Sequence, residues 1–440
     1  MSGDSLWAHG IGGAKDLPIP PQLAIAGAVA ALTVSFTVLA VAWRNPRFDE
    51  SAGRPAPRLA TLADSAGLRF AARVFGLAVF GWAMFAAVAG KDVLINPFFA
   101  MFYVWLWVGI VPMSLVLGPF YKAVSPVRTI NLLFSRLSGS DPEVGLFHYP
   151  ERLGYWPAAL GLYAFVWMEL VFPSGTELGP LRLWFAGYVG LMLVGGALFG
   201  GRFYESADPF EVYSTLVGHL SPWERRDDGA LVVRTPLANL ARVPARPGLV
   251  GIVGVMFGST AFDSFKDSSV WLKHIQGSSV SPVLQNNLML LAFCTAVALV
   301  FSVATASTGV HMHQRRTALP ALFAHSMVPI IVGYIFAHYL SYLDEQGQLT
   351  LIQASDPLTT GANYLGTGDL AVSYWLSYHP TLLATTKVLA VVTGHVLGVI
   401  AAHDRSVTLL PKRHQLTGQL PLLFAMVGFT VSGLYLLFAA

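Results

Sequence analysis

The sequence predicts an all-α fold: a polytopic integral membrane helix bundle with about ten transmembrane helices and both termini outside. Of the 440 residues, 54% are hydrophobic and only 12% are charged, whereas a soluble domain carries about 25% charged residues. Apolar runs of about 20 residues recur along the chain, and each can cross a ~30 Å hydrocarbon core as a helix. Basic residues also alternate between successive loops. Residues 1–440 are therefore predicted to form a single membrane domain.

The apolar runs define ten predicted spans. Each is long enough to cross the bilayer at the helical rise of about 1.5 Å per residue. In chain order the spans lie near Pro20–Trp43, Phe70–Ala89, Asn96–Gly118, Gly154–Pro173, Leu181–Gly200, Pro247–Phe265, Asn286–Ser307, Pro320–Leu343, Pro380–Ala402 and Gln419–Leu437.

The distribution of basic residues predicts the orientation. Twenty Lys and Arg residues fall in the odd-numbered connections. Only five lie toward the opposite side: four in the N-terminal segment and the even-numbered connections, and Arg182 at the start of span five. Positively charged loops stay in the cytoplasm, so both termini are predicted to be outside, in the inner membrane of the cell. The net charge of +3 is explained by a basic cytoplasmic face that attracts anionic lipid, so the lipid bilayer is an expected partner and nucleic acid is not.

Three non-spanning segments have predicted structure. Residues 119–152 contain SPVRTINLLFSRLSG, whose apolar spacing predicts an amphipathic helix on the inner face. Residues 208–246 begin with a similar helix, which Asp208 can cap and Pro209 can start, followed by a polar connector with a short β-like LVV. Residues 344–379 are predicted to be an external loop, long enough to act as a lid or a site element.

Several site chemistries find no support in the sequence. The single cysteine, Cys294, lies inside span seven, so disulfides and thiolate metal clusters are excluded. The first 19 residues lack the basic and apolar regions of a cleavable signal peptide. Walker A, HExxH, GxSxG and dinucleotide-binding motifs are absent.

Polar residues near the outer ends of three spans predict a site there. Glu169, Asp263 and His338 each lie within about 10 Å of the outer boundary, given the direction of their spans. Two carboxylates and a histidine at one depth suit a divalent metal such as zinc, manganese or copper. His9 and Asp356, both on the outer side, are predicted to close the site.

A second group of ionisable residues lies toward the inner side. His325 is in span eight, and His395, His403 and Asp404 are in span nine. His395 and His403 are separated by about 80° around an ideal helix, so both can face one interior and ligate copper, zinc or haem iron. His325 and His338 are about 220° apart, which disfavours two stacked haems and leaves a single haem between His325 and His395 open.

Each of these predictions has a simpler alternative. Glu169 and Asp263 can reach interfacial water from a span end, and His403 with Asp404 can close an ordinary span. A neutral histidine can also bind a backbone carbonyl and remain structural. Ionisable groups inside a membrane are nevertheless functional by default, because their burial is costly.

Several segments resemble a family of bacterial multi-pass membrane proteins named fenitrothion hydrolase. The similar segments span the chain and read AHGIGG with DLPIP, RLGYWPAALGLYAFVWMELVFP, DPFEVYSTLVGHLSPW, GSTAFDSF, AHSMVPIIVGYIFAHYLS, QASDPL and GHVLGVIAAHDR. The resemblance implies hydrolysis of an organophosphorus triester with release of a nitrophenol.

The family resemblance falls on the candidate residues already named and does not assign their roles. We expect a small apolar substrate that enters from the bilayer, with Asp263, His338 and Glu169 as ligands or water activators. A metal ion that lowers the pKa of bound water would assist the reaction. Two alternatives stay open: a copper- or haem-binding redox or metal-handling protein, and an ion-coupled transporter. The sequence does not indicate an oligomeric state.

Overall fold

The computed structural model describes residues 13–48, 53–308, 315–415 and 417–439. The chain divides into two compact units that interleave along the sequence. The first unit comprises residues 1–52, 240–344 and 374–440, and the second comprises residues 53–239 and 345–373.

Nineteen α-helices occur in the described residues. They are α1 (Pro21–Ala42), α2 (Pro57–Asp64), α3 (Ala66–Ala89), α4 (Pro97–Ala100), α5 (Ile110–Leu117), α6 (Tyr121–Val124), α7 (Pro126–Ser138), α8 (Trp156–Leu170), α9 (Leu178–Phe199), α10 (Gly201–Ala207), α11 (Pro209–Gly218), α12 (Pro236–Leu240), α13 (Leu249–Lys266), α14 (Ser269–Gly277), α15 (Pro282–Ala306), α16 (Leu319–Phe323), α17 (Met327–Gln353), α18 (Pro380–Leu409) and α19 (Leu420–Ala439).

Shorter elements connect these helices. A π-helix joins α4 to α5 over Met101–Gly109. The 3₁₀ turns are Ala14–Asp16, Arg316–Ala318, Ala324–Ser326, Lys412–His414 and Thr417–Gln419. The three short strands are β1 (Arg54–Pro55), β2 (Trp223–Arg225) and β3 (Leu231–Val233).

The architecture confirms the predicted all-α polytopic fold. Among the described residues, nine helical segments are long and apolar enough to cross a membrane. Nine of the ten predicted spans correspond to them, and the fourth does not. Its helix, α8, has only 15 residues, or about 22 Å of length. Gly154 has a φ of 45°, which places a turn before α8, and Val171 leaves the helical region after it.

Close packing at glycine organises the first unit. A Cβ at Gly258 of α13 would lie 2.5 Å from the Cα of Cys294 on α15. Likewise, a Cβ at Gly394 of α18 would lie 2.4 Å from the carbonyl oxygen of Pro329 on α17. Small residues of this kind let membrane helices approach to backbone contact. The two glycines therefore set the spacing of the α13–α15 and α17–α18 pairs.

A small antiparallel sheet lies in the second unit. Its strand order is β1-β3-β2, and Val233 pairs with both Arg54 and Trp223. The strand at Leu231–Val233 confirms the short β segment predicted from LVV. Asp208 caps α11 by accepting from the backbone amides of Phe210 and Glu211, as predicted.

Two of the predicted non-spanning segments differ from expectation. All but Thr215 of the ten residues of α11 are buried, so this helix lies inside the second unit rather than on a surface. The predicted external loop 344–379 starts later than expected, because α17 continues through Gln353. In segment 119–152 the predicted helix is present as α7. It buries Thr129 and Asn131 and exposes Phe134 and Leu137, an amphipathic pattern suited to lipid contact.

Candidate functional site

The candidate site lies in the first unit, where α13 and α17 bring Asp263 and His338 together. His338 Nε2 donates to Asp263 Oδ2 over 2.8 Å, and the hydroxyl of Tyr339 donates to the same oxygen over 2.7 Å. Asp263 is 3% exposed and His338 is 7% exposed. The sequence prediction that these two residues share one site is consistent with this geometry.

Ser264 lies on the other side of the imidazole. Its Oγ is 3.1 Å from His338 Nδ1 and 3.0 Å from the hydroxyl of Tyr334. Because Nε2 carries the proton that faces Asp263, Nδ1 presents its lone pair to the hydroxyl of Ser264. The single proton of the Ser264 hydroxyl can instead be donated to the Thr260 carbonyl oxygen, which lies 3.2 Å from Oγ. A continuous chain of hydrogen bonds therefore runs from a carboxylate through an imidazole to a hydroxyl.

Lys266 supplies a positive charge to the same carboxylate. Its Nζ lies 3.0 Å from Asp263 Oδ1, and its side chain is 25% exposed whereas that of Asp263 is 3% exposed. A buried carboxylate needs charge compensation and hydrogen bonds to remain ionised. Lys266, His338 and Tyr339 together provide both.

The local sequence explains how these side chains converge. Asp263 and Lys266 are three residues apart on α13, and Tyr334 and His338 are four residues apart on α17, so each pair shares a helix face. Asp263 follows Gly258 by five residues. His338 likewise follows Gly333, where a Cβ would meet the Ala390 carbonyl oxygen at 2.4 Å. Each of the two helices therefore packs closely through a glycine that lies about one and a half turns before its site residue.

Glu169 and Asp356, two other residues of the predicted outer site, have contacts of their own in the second unit. Glu169 belongs to the second unit, at the end of α8. Asp356 also belongs to the second unit and accepts from the backbone amides of Thr360 and Gly361, which makes it the cap of its own turn. His9 lies outside the described residues.

The inner histidines bind backbone carbonyls within their own turns. His325 lies in the 3₁₀ turn between α16 and α17 and donates from Nδ1 to the Leu322 carbonyl over 3.1 Å. His395 donates from Nδ1 to the Val391 carbonyl over 2.8 Å. Among the described residues, nothing bonds to the buried Nε2 of His395. These contacts match the structural alternative for both residues.

His403 and Asp404 attach the segment after α1 to α18. His403 Nε2 lies 2.9 Å from the Trp43 carbonyl, and its Nδ1 lies 3.1 Å from Gln419 Oε1. Asp404 Oδ1 accepts from Trp43 Nε1 over 2.9 Å and from the Arg47 amide over 2.7 Å. His403 and Asp404 therefore hold α18 to the segment that follows α1 through buried hydrogen bonds, which is a structural role.

The predicted metal ion finds no complete ligand set in the described part of the chain. Three or more His, Cys, Asp or Glu side chains do not come together there. At the outer pair, Lys266 and the donors on His338 and Tyr339 already face the carboxylate of Asp263. Because an ammonium stands where a cation would bind, these residues do not suit a metal. The metal stays a prediction.

Sequence reasoning missed three members of the site: Ser264, Lys266 and Tyr339. Each is close in sequence to a predicted residue, since Ser264 follows Asp263 directly and Tyr339 follows His338. The i, i+3 spacing of Asp263 and Lys266 was the available signal, because oppositely charged residues at this spacing meet on a helix. Serine and tyrosine are too common in membrane helices to stand out.

No protein-family model matches this chain, and neither a curated protein nor a solved structure matches it.

Proposed function

We propose that the protein is a membrane-embedded hydrolase of small neutral esters, with organophosphorus triesters of the fenitrothion type as the substrate class. The observation that supports this proposal is the hydrogen-bonded series Asp263–His338–Ser264. It contains the three roles of a nucleophilic hydrolase: an orienting acid, a base and a hydroxyl. The family resemblance supplies the substrate class.

In the first step, His338 Nδ1 takes the proton of the Ser264 hydroxyl as Oγ attacks phosphorus. The Oγ–P bond forms, the bond from phosphorus to the aryl oxygen breaks, and the nitrophenolate leaves with the electron pair. Asp263 holds the imidazole by its Nε2–H and stabilises the imidazolium that forms. Nitrophenolate is stable as an anion, so proton transfer from His338 to the leaving group is not required in this step.

In the second step, a water molecule attacks the phosphorylated Ser264. His338 Nδ1, once it has released its first proton to solvent or product, accepts a proton from the water. The P–Oγ bond breaks and Ser264 recovers its proton from His338. The net reaction consumes one triester and one water, and yields a dialkyl phosphate or thiophosphate and a nitrophenol.

Lys266 and Tyr339 act as positioning residues in this proposal. Both contact Asp263 rather than the hydroxyl of Ser264. Their hydrogen bonds and charge keep Asp263 ionised and fixed, which is what an orienting acid requires. A neutral triester partitions into the hydrocarbon region, so a site between membrane helices suits this substrate.

Nitrophenol release by purified protein in lipid vesicles tests the proposal. We expect Ser264→Ala and His338→Ala to lower the rate of fenitrothion hydrolysis by about 10³-fold or more, as losses in such triads do. Asp263→Asn should have a similar effect, because it no longer fixes the imidazole tautomer.

Ser259→Ala is the matched control. Ser259 lies on the same helix, is also buried, and its Oγ has no hydrogen-bond partner in the described part of the chain. The Ser259→Ala variant should hydrolyse fenitrothion at the wild-type rate. Equal rates in Ser264→Ala and Ser259→Ala would contradict the assignment of the nucleophile.

A proton relay is the second candidate function, because the same side chains form a longer path. The path runs from the partly exposed Lys266 through Asp263, His338 and Ser264 to the fully buried Tyr334. Such chains of ionisable groups carry protons in membrane transporters. Tyr334→Phe separates the two functions: proton flux into vesicles should fall if the protein is a relay, whereas hydrolysis should persist if it is an esterase.

A further inference from the structure

Two buried residues that carry hydrogen-bond donors, Trp107 and Tyr213, have neighbouring rings in the second unit. Trp107 is 1% exposed and Tyr213 is fully buried, and their ring centroids are 5.1 Å apart. Within the part of the chain that the structure describes, neither Trp107 Nε1 nor the Tyr213 hydroxyl has a hydrogen-bond partner. A buried polar group without a partner is costly, so two neighbouring ones call for an acceptor.

The backbone around Trp107 is unusual. Trp107 lies in the π-helix Met101–Gly109, which is inserted between α4 and α5. π-Helices are rare and are frequently found at functional sites. The next turns are firmly packed, since Ser114 of α5 and Ser214 of α11 are joined by a 2.9 Å hydrogen bond. The irregular backbone thus carries one unpartnered donor, Trp107, and it lies just before the helix α5 that packs against α11, which carries the other donor, Tyr213.

The ring neighbours of the two donors are aromatic. Phe165 lies 5.5 Å from the Trp107 ring and 5.4 Å from the ring of Phe210, which it meets edge to face. Burial raises the pKa of Tyr213 far above its ordinary value, so its hydroxyl stays protonated and available as a donor. Two donors in an apolar aromatic setting favour an uncharged ligand that carries an acceptor oxygen.

We propose that Trp107 and Tyr213 bind the acceptor oxygen of a neutral, lipophilic molecule, such as a phosphoryl or carbonyl oxygen, between the π-helix and α11. This site is separate from the Asp263–His338–Ser264 series, which lies in the first unit. Its occupation does not depend on the proposed hydrolysis. A small molecule dissolved in the bilayer is the class of ligand that this chemistry recognises.

Calorimetric titration of the full-length protein in detergent with tri-n-butyl phosphate tests this site. This probe is neutral and lipophilic, and its phosphoryl oxygen is a strong acceptor. An alkane of equal size without the oxygen is the matched probe. We expect the wild type to bind the phosphate more tightly than the alkane, and Tyr213→Phe and Trp107→Phe each to weaken phosphate binding about fivefold. Alkane binding should be unchanged.

Trp105→Phe is the control variant, because Trp105 is in the same π-helix and is 39% exposed. It should bind the phosphate as the wild type does. Tyr213→Phe should also melt no lower than the wild type in the absence of ligand, since it removes only an unpartnered hydroxyl. The proposal is overturned if wild-type protein does not distinguish the two probes, if Tyr213→Phe keeps full affinity, or if Tyr213→Phe alone lowers the melting temperature.

Discussion

Asp208 shows what burial does to a single carboxylate in this protein. It is fully buried at the start of α11, and its Oδ1 accepts from the Tyr188 hydroxyl and the amides of Phe210 and Glu211. Desolvation and the neighbouring charge of Glu211 raise its pKa from 3.8 to about 7, even though these hydrogen bonds oppose the rise. Asp208 is therefore protonated in the folded state under mildly acidic conditions.

This pKa predicts how stability depends on pH. Between about pH 4 and pH 7 the folded protein binds one more proton at Asp208 than the unfolded chain does, so the free energy of unfolding should fall as pH rises. The expected slope is about 1.4 kcal/mol per pH unit. Asp208→Asn keeps the accepting oxygen and removes the charge, so its melting temperature should exceed that of the wild type at pH 8.

Asp141→Asn is the control for this titration. Asp141 is exposed and accepts from the amide of Glu143, an interaction that asparagine retains. It should leave the pH dependence of the melting temperature unchanged, while Asp208→Asn should flatten it. A wild-type melting temperature that rises from pH 5 to pH 7 would contradict the assigned pKa.

At the same scale, the sequence predicted part of the candidate site. Asp263 and His338 stand out because they are ionisable residues in apolar helices. The position of Ser264 against His338 depends on the rotation of α13 relative to α17, which only packing determines. The inner histidines His325 and His395 each use Nδ1 for a hydrogen bond to a carbonyl of their own turn, at Leu322 and Val391, which residue type and spacing alone do not predict.

Among the helices, α18 packs against the site helix α17 through a close glycine contact. A Cβ at Gly394 would collide with the Pro329 carbonyl oxygen at 2.4 Å, and that oxygen belongs to backbone that cannot move aside easily. We expect Gly394→Ala to lower the free energy of unfolding by about 1–3 kcal/mol, as overpacking does. The melting temperature in detergent measures this effect.

Gly428→Ala in α19 is the matched control in the same unit. A Cβ there meets nothing within 4 Å, so alanine should be neutral or should stabilise by up to about 1 kcal/mol through its helix propensity. If Gly394→Ala is as stable as Gly428→Ala, the close approach of α17 and α18 is not required.

For elements more generally, hydropathy located the spans well but not the length of α8. The apolar run from Gly154 to Pro173 reads as a full span, yet the turn at Gly154 and the departure at Val171 shorten the helix at both ends. Such losses depend on backbone conformation rather than on composition. The burial of α11 was missed for a related reason, since Asp208 and Glu211 make its sequence look suited to a surface.

At the scale of the whole molecule, the predicted orientation depends on whether α8 crosses the bilayer. With ten crossings, the segments on either side of α8 lie on opposite sides of the membrane and the basic loops all lie inside. The length of about 22 Å is less than the hydrocarbon thickness of about 30 Å. Local thinning of the bilayer can accommodate a short span at modest cost.

Cysteine labelling in intact cells tests this orientation. In a Cys294→Ala background, Ser140→Cys and Thr176→Cys introduce exposed thiols before and after α8. We expect a membrane-impermeant maleimide to label Thr176→Cys but not Ser140→Cys until the cells are opened. Labelling of both positions from outside, or of neither, would show that α8 does not cross the membrane.

The proposed hydrolysis requires that Ser264 is the nucleophile and that His338 activates it. The most direct test is to quench the protein during turnover of diethyl 4-nitrophenyl phosphate and to identify the modified peptide by mass spectrometry. We predict a diethylphosphoryl group on Ser264 in the wild type, and none in His338→Ala. Release of 4-nitrophenol by the wild type with Ser264 unmodified would contradict the account.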